Sequence, residues 1–127
     1  MTERGWRTAL LVFGVSFVAQ AAWATIDASS FAGTIADFGP RNDHLVHDYA
    51  ACSATFGAGM LVAVERRRWR TPTLTLAALW NGFHTVSHVV DICAARPAVL
   101  GPLEAGALVI VSAALAILAR LSSSKTS

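Results

Sequence analysis

The sequence predicts an all-α, polytopic membrane protein: four spanning helices in a bundle, with a short interfacial helix between the first two. Three observations lead there. Hydrophobic residues make up 54% and charged residues 14% of the 127 positions, a balance few soluble domains have. Four apolar segments, 8–26, 46–64, 73–90 and 103–119, match or approach the roughly 17 to 25 residues needed to cross about 30 Å of hydrocarbon. The cations are sorted: Arg4, Arg7, Arg66, Arg67, Arg68, Arg70, Arg120 and Lys125 hold eight of the ten Lys and Arg residues, leaving Arg41 and Arg96 for the other side. Such sorting puts both termini in the cytoplasm of a bacterial inner membrane, and it reads as a topology signal and not as a nucleic-acid surface.

The first segment follows a basic start and ends near Ala22-Trp23-Ala24, which imitates a secretory signal with a small-residue cleavage site. We expect it to be retained as the first spanning helix. Gln20 and Asp27, seven residues apart, share a face that is expected to turn inward as an interhelical hydrogen bond. In 28–41, Phe31, Ile35 and Phe38 fall at i, i+4 and i+7 behind Ser29-Ser30 and ahead of Gly39-Pro40. This predicts a serine-capped amphipathic helix, either roofing a polar site or lying with its apolar side in the headgroups.

Ahead of the second span, His44 and Asp48 stand one turn apart on a face that continues through Ala51 and Thr55, with His47 about 60° to the side. Ala50, Ala54, Ala58, Gly57 and Gly59 keep that helix slim enough for close backbone contact. Pro72 opens the third helix where its missing N–H costs nothing, and Trp6 and Trp69 are expected as interfacial anchors. The fourth segment has no polar group after Glu104 except Ser112, so it should face lipid or a partner protein. Cys52 and Cys93 should be free thiols, since an antiparallel pairing of the second and third helices about residues 68 and 69 leaves them on the order of 10 Å apart in depth.

The third span carries the chemistry. At 100° per residue, Asn81, His84, His88 and Asp91 occupy an arc of about 80°. Each such group inside a bilayer costs a few kcal/mol unless it finds a partner, roughly, and so marks a site. The same antiparallel pairing sets Asp48 beside His88 and His44 near Asp91, so His44, Asp48, His84 and His88 converge as three imidazoles and a carboxylate. Asp91 and His47 stand behind them as proton-transfer candidates. This donor set suits zinc, iron or copper and excludes calcium or magnesium as the natural occupant. A haem held by His84 or His88 on one side and His44 or His47 on the other is an alternative. So is an ion-free hydrogen-bond or proton-relay network in which Asp91 orients His88 and Asn81 bonds His84.

Asn42-Asp43-His44-Leu45 with Asp48, followed later by His84 and His88, resembles the N-[DE]-H-[LF]-x-x-D and H-x-x-x-H motifs of a group of small, uncharacterised four-helix bacterial membrane proteins, many of them actinobacterial. The position of His47 is often arginine there, which implies a peripheral His47 and a shared core of His44, Asp48, His84 and His88. No function transfers from that group. The sequence-level expectation is a membrane protein holding a transition metal near the extracytoplasmic face. If it is an enzyme, it would use metal-activated water or redox turnover on a substrate arriving from the bilayer. The competing classes are an accessory subunit of a larger membrane complex and a haem electron carrier. A transport role would require a homo-oligomer, because one protomer is too small to enclose a wide pathway.

Overall fold

The computed structural model describes residues 1–35 and 37–124, and Lys125 of the basic tail lies outside them. Helices account for nearly all of this: α1 (Glu3–Ile26), α2 (Ala28–Ile35), α3 (Asp43–Glu65), a 3₁₀ turn (Arg67–Trp69), α4 (Arg70–Val90) and α5 (Leu100–Ser123). Among the described residues there is no strand. Each long helix starts before its apolar segment, and polar residues cap the starts of α1 and α3. Thr2 accepts a hydrogen bond from the Gly5 N–H at 3.2 Å, and Asn42 accepts one from the Leu45 N–H at 3.2 Å.

Asp27 joins α1 to α2. Its backbone N–H still donates to the Trp23 carbonyl at the end of α1, while its carboxylate accepts from the Ser30 N–H at 2.9 Å to start α2. The cap of α2 is therefore Asp27 and not the expected serine pair. Trp23 instead donates its indole N–H to the Ser30 hydroxyl at 3.2 Å. Phe31 is buried between Trp23 and Tyr49, each with its ring centroid 5.3 Å away, so α2 folds back onto α1 and α3.

Two antiparallel pairs form the framework. α1 packs along α3 and α4 along α5, and the pairs meet through α3 and α4. The α1–α3 seam is closest at Gly14 and Gly57. A Cβ on Gly57 would stand 2.8 Å from Val18 Cγ2 and 2.9 Å from the Gly14 carbonyl oxygen, so only hydrogen fits there. Of the small residues expected to serve this contact, Ala50 and Gly57 are buried, whereas Ala54 and Ala58 are exposed: the contact stripe on α3 is Val46, Ala50, Ser53, Gly57 and Met60. On α5, a Cβ on Gly101 would lie 2.0 Å from the Ile92 carbonyl oxygen. The first turn of α5 can therefore rest directly on the loop that follows α4.

Apolar packing is concentrated at the end that carries the basic residues. Leu10, Met60, Leu74 and Leu115, one from each long helix, are completely buried in a shared cluster. A second cluster of Ala21, Ala24, Phe31, Ala32, Val46 and Ala50 fills the opposite end, between α1, α2 and α3 alone. Trp6, expected as an interfacial anchor, belongs to the first cluster and lies under the Arg70 guanidinium at 5.6 Å, while Trp69 is exposed. Cys52 and Cys93 are free thiols, as anticipated. Gly57→Ala should destabilise the fold by about 1 to 3 kcal/mol in denaturant unfolding of the purified chain, because the obstructing atoms include backbone. Gly106→Ala, with nothing within 4 Å of its Cβ, should be neutral or stabilising by up to about 1 kcal/mol.

Candidate functional site

At the histidine end the first apolar cluster gives out between α3, α4 and α5, and polar and aromatic side chains occupy the space. The centre is His88 on α4 facing Glu104 on α5. Nδ1 of the imidazole lies 3.5 Å from Oε2 of the carboxylate, and each side chain is 13% exposed. Neither that nitrogen nor either carboxylate oxygen has a hydrogen-bond partner among the described residues. At 3.5 Å the approach is slightly longer than an ordinary hydrogen bond.

His84 precedes His88 by one turn and presents its ring edge-on to it, with centroids 4.6 Å apart. It stacks on Trp80 at 5.1 Å with the planes 16° apart, and its other neighbour is Tyr49 of α3 at 5.8 Å. The Tyr49 hydroxyl donates to Oε1 of Gln20 on α1 at 2.7 Å, which realises the interhelical bond expected of Gln20. A file of polar groups thus runs from Glu104 through His88, His84 and Tyr49 to Gln20, touching all four long helices.

The segment after α2 closes the outer side. Phe38 meets His88 edge-on at 4.8 Å, and the Asp37 carbonyl accepts the Arg96 N–H at 2.9 Å, which ties this segment to the α4–α5 loop. Of the two roles open to 28–41, roofing the polar site is the one these contacts support. Arg96 has a local task as well: its guanidinium donates to the Cys93, Ala94 and Ala95 carbonyls and holds that loop together.

The four-residue set His44, Asp48, His84 and His88 is not assembled. His44 and Asp48 do face each other one turn apart, at 3.6 Å, but their side chains are 86% and 64% exposed, and Ala51 and Thr55 on the same stripe are exposed too. The reason is rotational. Val46 and Ala50 turn inward to the cluster with α1 and α2, and Tyr49 is the residue that reaches α4; Asp48, 100° away from it, points outward. His47 and Asp91, the proton-transfer candidates, are also exposed. Asp91 ends α4 through its backbone N–H, bonded to the Ser87 carbonyl at 2.9 Å, and Asn81 donates to the Ala77 carbonyl instead of bonding His84. Among the described residues, no three His, Cys, Asp or Glu side chains come close enough to hold a metal ion. The histidine pairs that a haem clamp requires do not face each other either, since His44 and His47 lie on the outside of α3.

Glu104 is the residue of this cluster that the histidine pattern did not include, although a signal existed: it is the single acid of α5. Gly101 sets its position, because the close contact with Ile92 one turn earlier turns the same face of α5 onto α4. Comparison with protein-family models, curated proteins and solved structures finds no match to this chain. The functional reading therefore rests on the geometry above. Tyr49→Phe should cost about 1 kcal/mol of unfolding free energy, and adding Gln20→Leu should cost little more, since both remove the same interhelical bond. A double-mutant cycle read by unfolding checks this.

Proposed function

We propose that this chain is a multi-pass membrane protein of four spanning helices with cytoplasmic termini, and that His84, His88 and Glu104 form a proton-handling centre near its outer surface in a non-catalytic, accessory role. Several features support the membrane reading. α1 and α5 are long and apolar enough to cross a bilayer by length and composition. Large apolar side chains stay exposed on every long helix, among them Val12, Val15, Val62, Leu79, Phe83, Ile110 and Ile117. Exposed apolar surface so widely distributed suits lipid as solvent better than water. The basic residues gather at the opposite end from the histidines.

The contact between His88 and Glu104 carries the functional reading. An ionised carboxylate facing a neutral imidazole without another donor would be costly in so apolar a setting, whereas one proton placed between them satisfies both groups. Two arrangements of that proton are then available: a carboxylic acid donating to the imidazole, and an imidazolium beside a carboxylate. They differ by the position of a single proton. His84, whose ring lies edge-on to His88 with centroids 4.6 Å apart, is the adjacent imidazole and the next group able to take that proton. α5 buries little of its apolar stretch within the chain, which leaves a face for a larger membrane complex in which such a relay would operate.

Two observables test this in the full chain in micelles or nanodiscs. Nitrogen NMR of His88 and the infrared carboxyl band of Glu104 should titrate as one coupled step, and Glu104→Gln should move the His88 midpoint by about one pH unit or more. Independent titration, with His88 indifferent to Glu104→Gln, contradicts the shared proton. Elemental analysis finding about one transition metal per chain, lost in His84→Ala/His88→Ala, would replace the relay with a metal centre.

A further inference from the structure

A second site lies at the basic end, some distance along the helices from the histidines. A cavity of about 530 Å³ opens there, lined by Glu3, Trp6, Arg67, Arg68, Arg70 and Thr71 together with the end of α5. Its size falls in the range of small-molecule sites. We propose that it binds the phosphate group of an anionic lipid headgroup.

The charge arrangement points to an anion. Three arginines, Arg67, Arg68 and Arg70, line the cavity with one acid, Glu3, so the lining side chains carry an excess of two positive charges, and the amino-terminal residue Met1 lies on the same wall. Arg70 is fixed: it is buried, pairs with both Glu3 oxygens, donates from Nε to the Ala63 carbonyl at 3.3 Å and covers the Trp6 ring. Arg67 reaches the same carboxylate at 3.0 Å from an exposed position. Arg68 makes no ion pair among the described residues. Glu3 therefore organises two of the cations without neutralising the group. Planar guanidinium forks match phosphate oxygens in pairs of hydrogen bonds, and the Thr71 hydroxyl on the wall is engaged with that of Ser122 at 2.7 Å.

The surroundings select among anions. Trp6 gives the cavity an apolar wall where the apolar faces of the helices end, and exposed Trp69 marks the level at which interfacial aromatic residues sit. A basic pocket between helix ends at the cytoplasmic surface suits a glycerophosphate headgroup whose chains continue along the helices. The lipid source rests on the membrane reading above; the phosphate chemistry does not.

The test uses the full chain in micelles, with bound lipid counted by native mass spectrometry. Phosphatidylglycerol should be retained in preference to phosphatidylcholine, and Arg67→Gln/Arg68→Gln should weaken its retention about tenfold or more. Arg4→Gln/Arg66→Gln removes equal charge from exposed positions outside the cavity and should have a much smaller effect. Circular dichroism confirms that each variant folds. Equal losses in the two variants, or no loss in either, overturn the site. A third arm titrates inorganic phosphate: if it binds the wild type and not the cavity variant while the two lipids are retained alike, the phosphate site stands with a soluble source and the lipid assignment fails. Retention of neither lipid overturns the lipid assignment; failure of the membrane reading would appear separately, as a chain that stays monodisperse in water without detergent.

Discussion

A carboxylate carried into an apolar environment must be met by a partner, and this requirement orders the second half of the molecule. Glu104 is the only acid of α5, and the partner it meets is His88. Because both groups project from helices, their meeting fixes rotation and register together. Two further polar contacts follow the same seam toward the basic end, Thr85 with Ser112 at 3.0 Å and Thr71 with Ser122 at 2.7 Å. Each such bond is worth about 0.6 kcal/mol, so neither dictates the pairing, but the two together with the His88–Glu104 contact disfavour any slip of register. Gly101 makes the arrangement sterically possible by admitting the Ile92 carbonyl where a methyl group would collide.

The first half follows a different rule. α1 and α3 are joined by close backbone approach at Gly14 and Gly57, and their polar contacts are few: Gln20 with Tyr49, and Arg7 with Glu65 at the charged end. Tyr49 is where the two halves communicate. Its ring lies among Phe31, Trp80 and His84, and its hydroxyl is anchored on α1. The histidine file thus rests on a tightly packed pair of helices on one side and a polar seam on the other.

Much of this was legible in the residues, and what was not has physical causes. Apolar run length located all four long helices, though not the extra turns gained from Thr2 and Asn42 or the double use of Asp27. On α4, His84 and His88 could be identified as one polar face because they share an arc with Asn81 and Asp91; the structure buries Asn81 and leaves Asp91 exposed. Periodicity on α3 showed only that His44 and Asp48 share a face; it did not say which face turns inward. Both faces of that helix mix small, polar and apolar residues, and the choice is made by Val46, Ala50 and Tyr49 packing against α1, α2 and α4. α5 is apolar apart from Glu104, Ser112 and its last turn, so the lone acid was the signal available for its rotation, and it acquires a partner once Gly101 seats the helix.

The central claim is that the acid opposite His88 comes from α5 and not from α3. Disulfide trapping tests it most directly, in a background with Cys52→Ser and Cys93→Ser. His88→Cys with Glu104→Cys should cross-link rapidly under mild oxidation, whereas His88→Cys with Asp48→Cys should not. Efficient cross-linking of the second pair with none of the first would show that α3 supplies the carboxylate and would contradict the account.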